Sequence, residues 1–450
     1  MKGEMLIFRK ELLDHVLSLR FAVGSLLFIL SAAVCSSVRL HHYRQRLQAY
    51  HTLVADQEAF LDKYAHANRL WTIFVPYTPP PRMSVLLHES NPPADVFSAP
   101  EQVIEENPLD LLQPHLDFQV LIGLLGSLWA LVLAYDTVSG ERERGTWNLM
   151  RAHSISVARI LTEKWWAGNL LIFSPLVLSV GLASIYIELD PEVNWGPEEW
   201  IAWGLSALVY GLYLSVFFTL GLLVSYCARR SSSSIIVLSF LWVAIVLLAP
   251  MLSSHVSASI RPVPSPVIVA RELKRIEQER QVAARARVNE LLKKGLSLGE
   301  IWASGELTTL NRPYEEKAAR LAQDFRQRLA AQQRLTRRIA SLSPAFCMVQ
   351  AVSELAGVGS SSAEHVARSI ENWRRLAGET VSRKIQKLRE ANPDFGWDDP
   401  LDVSDIPRFH YKERPLGERW RTASPYIGLL LLYEVGLWIV ILILSQRVTD

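Results

Sequence analysis

The chain has 450 residues, of which 50% are hydrophobic and 20% are charged, and its formal net charge is +2. A net charge this small gives no argument for a nucleic-acid partner. The three cysteines, Cys35, Cys227 and Cys347, lie far apart without a CxxC pair, which excludes a disulfide framework and the common zinc patterns.

Six apolar segments are long enough to cross a bilayer as helices, which takes about 20 residues. They predict an all-α polytopic membrane protein with spans at 21–38, 117–136, 166–187, 201–226, 234–253 and 425–445. We interpret the first segment as an uncleaved span, because its long N-terminal flank and the lack of an A-x-A site are not typical of a signal peptide.

The distribution of Lys and Arg at the span ends predicts the orientation. Basic residues precede the first span, fill the loop at 137–165, separate spans four and five, and follow span six, whereas the short loop from Glu188 to Trp200 has none. Both termini are therefore predicted to be cytoplasmic. The loops at 39–116 and 254–424 would then lie on the periplasmic or extracellular side of the inner (cytoplasmic) membrane.

Residues 1–20 interleave apolar positions with Lys10, Glu11 and Asp14. This pattern predicts an amphipathic helix that lies at the cytoplasmic interface before the chain enters the membrane.

The outer loop at 39–116 is predicted to begin as a helix and to continue as a proline-rich segment with extended backbone. Its helical part holds four histidines without paired carboxylates at a consistent helical spacing: His41, His42, His51 and His66. We interpret them as exposed polar residues, and no metal site is predicted.

A charged hairpin follows span two. Gly140 and Gly145 bracket the sequence Glu141-Arg-Glu-Arg144, and glycine permits a tight turn. A density of acidic and basic residues beyond what a solvated loop needs indicates a surface that binds another protein. Farther along, Pro175 and Pro250 are predicted to kink spans three and five.

The region at 254–424 is predicted to be mostly helical. From Tyr314 a 4–3 spacing of mainly apolar residues gives a seam like that of a coiled coil, and two long helices paired as an antiparallel stalk are the simplest arrangement. Ser343-Pro344 ends the second helix, and a further helix is predicted after Ser360.

The hairpin resembles the first cytoplasmic loop of the ABC-2 type transporter permeases, which carries a GE-x-E-x-GT pattern. The matching residues are Gly140, Glu141, Glu143, Gly145 and Thr146, with Arg142 and Arg144 between them. The resemblance implies that this loop forms the coupling helix that docks on an ATPase subunit. Lys10, Glu11 and Asp14 lie in a segment similar to the N-terminal elbow helix of the family.

A second match is similar to the ABC-2 subgroup with a large extracytoplasmic insertion before the last span. It consists of Pro344, Glu354, Gly357 and Gly359. Permeases for nitrous-oxide-reductase maturation and for gliding motility are relatives of that kind.

The resemblance implies the transmembrane permease subunit of an ABC transporter or of an ABC-driven mechanical machine. The chain has no P-loop, so ATP and Mg would be bound by the partner ATPase, and the chain itself would be no enzyme. Two permease copies, as a homodimer or a heterodimer, would work with two ATPase copies in the lipid membrane. The outer domain would bind cargo or a protein partner.

Glu434 lies near the middle of span six. Carboxylates inside spans are costly and usually face a bundle interior or a pathway. Glu434 is therefore either a functional residue, as a substrate contact or a gate, or a protonated side chain that bonds to a neighbouring helix. An alternative for the whole chain is a non-transporting scaffold or receptor whose outer stalk recruits an extracytoplasmic protein. A membrane enzyme using Glu434 would need further intramembrane polar partners.

Overall fold

The computed structural model describes residues 4–64, 75–88, 117–147, 156–296, 301, 304–392, 399 and 401–447. These residues form helices and connecting segments, without a strand among them. Helices satisfy every backbone polar group within one segment, which is what a chain with so many apolar runs needs in lipid. The prediction of an all-α polytopic membrane protein is confirmed.

The α-helices are numbered in chain order. They are α1 (Glu4–Val16), α2 (Leu19–Tyr64), α3 (Phe118–Val120), α4 (Ser127–Ala134), α5 (Ser139–Glu143), α6 (Val157–Glu188), α7 (Pro197–Cys227), α8 (Ser231–Trp242), α9 (Ala249–Ile260), α10 (Pro266–Lys293), α11 (Glu306–Ala340), α12 (Pro344–Leu355), α13 (Ser360–Ala391) and α14 (Leu416–Arg447). A 3-10 helix covers Arg82–Val85, and π-helical segments cover Leu121–Gly126 and Val243–Leu248.

Six helical stretches in the described part of the chain are long and apolar enough to cross a membrane. We refer to them as spans 1 to 6: Leu19–Ala59, Phe118–Glu143, Val157–Glu188, Pro197–Cys227, Ser231–Ile260 and Leu416–Gln446. Each overlaps one predicted span and extends beyond at least one of its ends.

Pro175 and Pro250 lie inside spans, and the type of helix differs around the two residues. Helix α6 continues through Pro175. The π-helical segment of span 5 ends just before Pro250, which is at the start of α9. Because proline has no N–H and its ring clashes with the carbonyl four residues earlier, the change of helix type falls where the regular bonding pattern cannot continue.

Spans 2 and 4 form the centre of the bundle. In the most apolar part of each, 67% of the residues are buried, compared with 11% in span 5 and 17% in span 6. Small residues allow close packing around this centre. A Cβ added to Gly221 of span 4 would lie 2.4 Å from the Cβ of Ala134, so only glycine lets the two helices approach this closely.

The chain divides into two compact units. One contains residues Met1–Val246 and Pro344–Asp450, and the other contains Leu247–Ser343. The sequence analysis treats 254–424 as one outer region, whereas here residues 344–424 belong to the unit that holds most of the spans. The reason is α12, which packs against α7 and α14. Its residues Cys347, Met348 and Leu355 are fully buried, and an apolar helix this short is typical of a re-entrant segment.

The second unit contains the antiparallel pair α10 and α11, which bears out the predicted pairing of two long helices. Arg287 binds Glu306 near the connection between them, with a distance of 2.7 Å from Nη2 to Oε2. Farther from the connection, the Nε2 of Gln332 donates to the carbonyl oxygen of Arg261, 2.9 Å away. From the first contact to the second, the residue number decreases in one partner (287 to 261) and increases in the other (306 to 332), as in an antiparallel pair.

Several predictions concern residues outside the described ranges. These are His66, the prolines of the first outer loop at 92–114, and the part of the hairpin at 148–155. Of the proline-rich segment, 75–88 is described, and Met83, Val85, Leu86 and Leu87 are buried in the main core.

Candidate functional site

The hairpin begins after α4, within the last residues of span 2, and span 4 fixes it in place. The backbone N–H groups of Val138 and Ser139 both donate to the Oγ of Ser225, at 3.0 and 3.1 Å. Helix α5 then runs for one turn and ends before Gly145, whose φ of +76° lies in the left-handed region. Glycine adopts that conformation without the steric cost that other residues meet, which explains its use at a helix end.

A buried lysine joins the hairpin to the N-terminal helix. The Nζ of Lys164, in α6, lies 2.7 Å from Oε1 of Glu11 and 3.0 Å from Oε2 of Glu141. Lys164 is 1% exposed, and both glutamates are buried. On the other side of Glu141, the Nζ of Lys10 lies 3.4 Å from Oε1. We call these four residues the Lys164 cluster; its charges sum to zero when the half-exposed Lys10 is included.

A second ion pair joins the start of span 1 to the start of the hairpin. The Nη1 of Arg20 lies 2.7 Å from Oδ2 of Asp136, and the guanidinium also stacks over the ring of Tyr135. Together with the Lys164 cluster, this pair makes α1, span 1, span 3 and the hairpin one connected polar assembly.

The remaining acidic residue of the hairpin binds the start of span 5. The carboxylate of Glu143 accepts hydrogen bonds from the backbone N–H and from the Oγ of Ser231, both at 3.0 Å. Since α8 begins at Ser231, this carboxylate lies at a positively polarised helix end.

Arg142 binds the far end of span 4. Its Nη1 donates to the carbonyl oxygen of Ala228 at 3.0 Å, and its guanidinium lies over the rings of Trp147 and Tyr226. The hydroxyl of Thr146 donates to the carbonyl oxygen of Glu141. These two residues therefore stabilise the hairpin itself.

The hairpin and α1 enclose an open cleft of about 690 Å³. Its lining includes Lys10, Asp14, Arg20 and Arg144. Arg144 is exposed, and the one hydrogen bond recorded for its side chain among the described residues is from Nε to the carbonyl oxygen of Gly140. The cleft is thus a polar surface at which charges of both signs remain accessible.

The structure brings the predicted elbow and hairpin residues together but gives them different roles. Glu141 is buried, Arg142 is half-buried and Glu143 is engaged with Ser231, so Arg144 and Gly145 are the exposed end of the hairpin. Sequence reasoning did not single out Lys164, Ser225 or Ser231 as site residues. For Lys164 a signal existed, because a lysine within the first turns of a membrane helix needs a partner.

Glu434 binds neighbouring helices. Its Oε1 accepts three hydrogen bonds: from the Oγ1 of Thr219 at 2.8 Å, from the Oγ of Ser215 at 3.1 Å and from the Nε1 of Trp165 at 3.1 Å. The carboxyl group therefore connects span 6 with spans 3 and 4, and its assignment to a functional or a structural role stays a prediction.

Three of the four residues of the outer motif, Glu354, Gly357 and Gly359, lie just before α13. The buried carboxylate of Glu354 accepts hydrogen bonds from the backbone N–H and the hydroxyl of Ser361. A Cβ added to Gly359 would lie 2.7 Å from that carboxyl group. Gly357 has a φ of +72°, and Pro344 begins α12. Glu354, Gly357 and Gly359 thus shape the connection from α12 to α13, whereas Pro344 lies at the other end of α12.

Comparison with protein families gives one match: a family described as "ABC-2 family transporter protein" covers residues 5–442. The match spans both compact units, and it confirms the resemblance to the ABC-2 permeases. The resemblance to the subgroup with an extracytoplasmic insertion stays a prediction. A comparison with curated proteins finds no match.

Proposed function

The chain belongs to the ABC-2 family of transporter proteins, and we propose from this premise that it is a permease subunit driven by a separate ATPase that docks on the hairpin and on α1. The hairpin would serve as the coupling element. Its exposed end, with Arg144 and Gly145, and the adjoining cleft would receive the ATPase.

The observation that carries this proposal is the Lys164 cluster. A lysine 1% exposed, held between Glu11 of α1 and Glu141 of the hairpin, supports the idea that the two predicted docking elements move as one body. A hairpin or an α1 that served only as exposed surface would need no buried charges, since the burial of charged groups is costly unless they are paired.

The contacts of the hairpin supply a route for the motion. It is bonded to span 4 through Ser225, to span 5 through Ser231, to span 3 through Lys164 and to span 1 through Arg20. A push on the hairpin would therefore act on four spans at once. Because packed helices do not deform continuously, the displacement would appear as a rearrangement between two packed states.

The chemistry of ATP stays outside this chain. The partner ATPase would bind ATP and Mg and hydrolyse the nucleotide, and two permease chains with two ATPase chains would form the working unit. We further propose that the termini and the hairpin are cytoplasmic and that α10 and α11 are extracytoplasmic.

The test is co-purification of the chain with candidate ATPases, followed by measurement of ATP hydrolysis with and without the chain. Arg144→Glu reverses the charge at the exposed end of the hairpin without removing a buried group. Arg229→Glu is the matched control, because Arg229 is also exposed, lies between spans 4 and 5, and does not line the cleft.

We expect Arg144→Glu to weaken the complex by about tenfold or more and Arg229→Glu to leave it unchanged, because a charge-assisted contact contributes about 1.5–3 kcal/mol. Normal binding and normal stimulation of hydrolysis by Arg144→Glu would contradict this docking site. Failure of the wild-type chain to bind any candidate ATPase would favour a scaffold that recruits an extracytoplasmic protein.

A further inference from the structure

Positive charge is concentrated in one part of the second compact unit. Residues 251–271 and 325–343 together contain seven arginines and no aspartate or glutamate, whereas residues 272–324 contain ten basic and nine acidic residues. The formal net charge of the whole chain is only +2, so its composition does not account for this concentration. We call residues 251–271 and 325–343 the basic end of the helix pair.

The two segments of the basic end lie side by side. The hydroxyl groups of Ser257 and Thr336 are hydrogen-bonded to each other, and the Nε2 of Gln332 donates to the carbonyl oxygen of Arg261 at 2.9 Å. Four residues forward from α9 are thus matched by four residues backward along α11, and the two helices pack together. The last turns of α11 therefore run beside the second half of span 5.

The edge of the hydrocarbon falls within α9. Met251 and Leu252 are large apolar side chains with 62% and 52% of their surface exposed, and Ser253, Ser254 and His255 follow them directly. A span leaves the hydrocarbon where such apolar residues give way to polar residues. We therefore take the level of Ser253 as the edge.

Three exposed arginines lie just beyond this edge: Arg261, Arg334 and Arg338. With a rise of 1.5 Å per residue and the register above, Arg338 lies roughly 3 Å beyond the edge along the helix axis, Arg334 roughly 9 Å and Arg261 roughly 12 Å. The headgroup layer extends roughly 5–7 Å beyond the hydrocarbon, and screening in physiological salt acts over about 8 Å. All three charges are therefore within electrostatic reach of the headgroups.

These three arginines have no counter-charge within the described part of the unit. None of their guanidinium groups forms an ion pair or a hydrogen bond with a described residue. Arg334 and Arg338 are four residues apart, so they share one face of α11. The nearest acidic residue along α11 is Asp324, and its carboxylate binds Arg328 at 2.9 Å.

An anionic surface fits this arrangement better than a small soluble ligand does. The arginines follow one another along exposed helix surface at the membrane edge and do not converge on a cavity. Like charges that lie this close repel one another, and negative headgroups at the same level remove that repulsion. A guanidinium group also matches the geometry of a phosphate, which it binds through two parallel hydrogen bonds.

We propose that the basic end of the helix pair binds the headgroups of anionic phospholipids through Arg261, Arg334 and Arg338. The lipids are those of the leaflet beside this end of span 5. The proposal holds for either orientation of the chain in the membrane. It is also independent of ATPase docking, because it involves no residue of the hairpin or of the Lys164 cluster.

The test is native mass spectrometry of the purified full chain in detergent, titrated with dioleoyl phosphatidylglycerol or with dioleoyl phosphatidylcholine, which has the same acyl chains and no net charge. The test variant replaces the three arginines by glutamine, which helices accommodate well. The matched control removes three exposed positive charges from the remainder of the helix pair by the same change to glutamine: Arg285, Lys293 and Lys317.

We expect the wild-type chain to prefer phosphatidylglycerol, because each basic residue near an anionic surface strengthens binding by roughly fivefold. The test variant should lose at least tenfold in affinity for this lipid, and the control less than twofold. Lysine at the same three positions should retain most of the affinity, which separates a loss of charge from a loss of folding.

Two results would overturn the proposal. One is equal affinity of the test variant and the control for phosphatidylglycerol, whether both are high or both are low. The other is a wild-type chain that binds the two lipids equally, which would leave the three arginines to a soluble anionic partner.

Discussion

Lys164 holds one positive charge between two carboxylates that are far apart along the chain, Glu11 and Glu141. The sequence predicts a charged hairpin between spans 2 and 3, and the structure has the charged residues at that place. The sequence did not predict which charges turn inward, because an exposed docking residue and a buried ion-pair partner look alike in sequence. The direction of each side chain depends on a partner contributed by another helix.

Replacing Lys164 by methionine should destabilise the protein. The carboxylates of Glu11 and Glu141 would face each other without the ammonium group between them, and breaking a buried pair costs about 3–5 kcal/mol. Thermal melting in detergent measures the effect. Lys294→Met, which removes an exposed i,i+4 pair with Glu290, should leave the melting temperature unchanged, because an exposed ion pair adds little to stability. Adding Glu11→Gln and Glu141→Gln to Lys164→Met should recover stability, and a normal melting temperature for Lys164→Met alone would contradict the buried ion pairs.

Glu434→Gln should preserve both stability and activity, because the amide oxygen can accept the same three hydrogen bonds as Oε1. Glu434→Leu removes the acceptor and should cost about 1–3 kcal/mol for the donors left without it. Melting temperature and ATPase stimulation are measured for both variants. An inactive Glu434→Gln of normal stability would assign the carboxyl group a role in transport and refute the structural one.

At the scale of elements, the long helices follow from periodicity and apolar length, and the pairing of α10 with α11 follows from the seam that begins at Tyr314. Helix α12, in contrast, could not be placed in the bundle from periodicity or apolar length. Its 12 residues are too few for a span, and they come directly after a polar stalk. Only its packing against α7 and α14 places it in the bundle, where Gln119 of span 2 donates to Ser353 at 2.9 Å.

Gly359→Ala should destabilise the connection between α12 and α13. The added methyl group would lie 2.7 Å from the carboxyl group of Glu354, and relieving such a contact costs about 1–3 kcal/mol. Gly417→Ala is the matched control, because a Cβ there meets no atom within 4 Å and alanine is favoured in helices. Thermal melting should separate the two variants, and equal melting temperatures would exclude the close packing at Gly359.

At the scale of the whole molecule, six apolar segments were enough to predict an integral membrane protein, and the motif of the hairpin was enough to predict its family. The sequence did not predict the boundaries of the two compact units. The first boundary falls inside span 5, between Val246 and Leu247. No change of composition marks that point, because both sides of it are apolar helix.

The proposed orientation can be tested with a membrane-impermeant maleimide. The side chain of Arg320 is 82% exposed, so Arg320→Cys should be labelled in spheroplasts. The native Cys227, exposed between spans 4 and 5, should be labelled only after the membrane is disrupted. Cys35 and Cys347 are buried, so the reagent should not reach their thiols. Labelling of Arg320→Cys from the inside alone would reverse the orientation.

The Lys164 cluster also constrains how the protein is made. Glu11 leaves the ribosome 153 residues before its partner Lys164, a delay of roughly 8–30 s at about 5–20 residues per second. Throughout that time Glu11 has no Lys164 with which to pair. Ser215 and Thr219 are without their acceptor for longer, because Glu434 is synthesised with the last span. The polar contacts of the bundle therefore form in order from the N-terminal helix to the C-terminal helix. A chain released early would have unpaired polar groups, which the cell's quality control of membrane proteins can recognise.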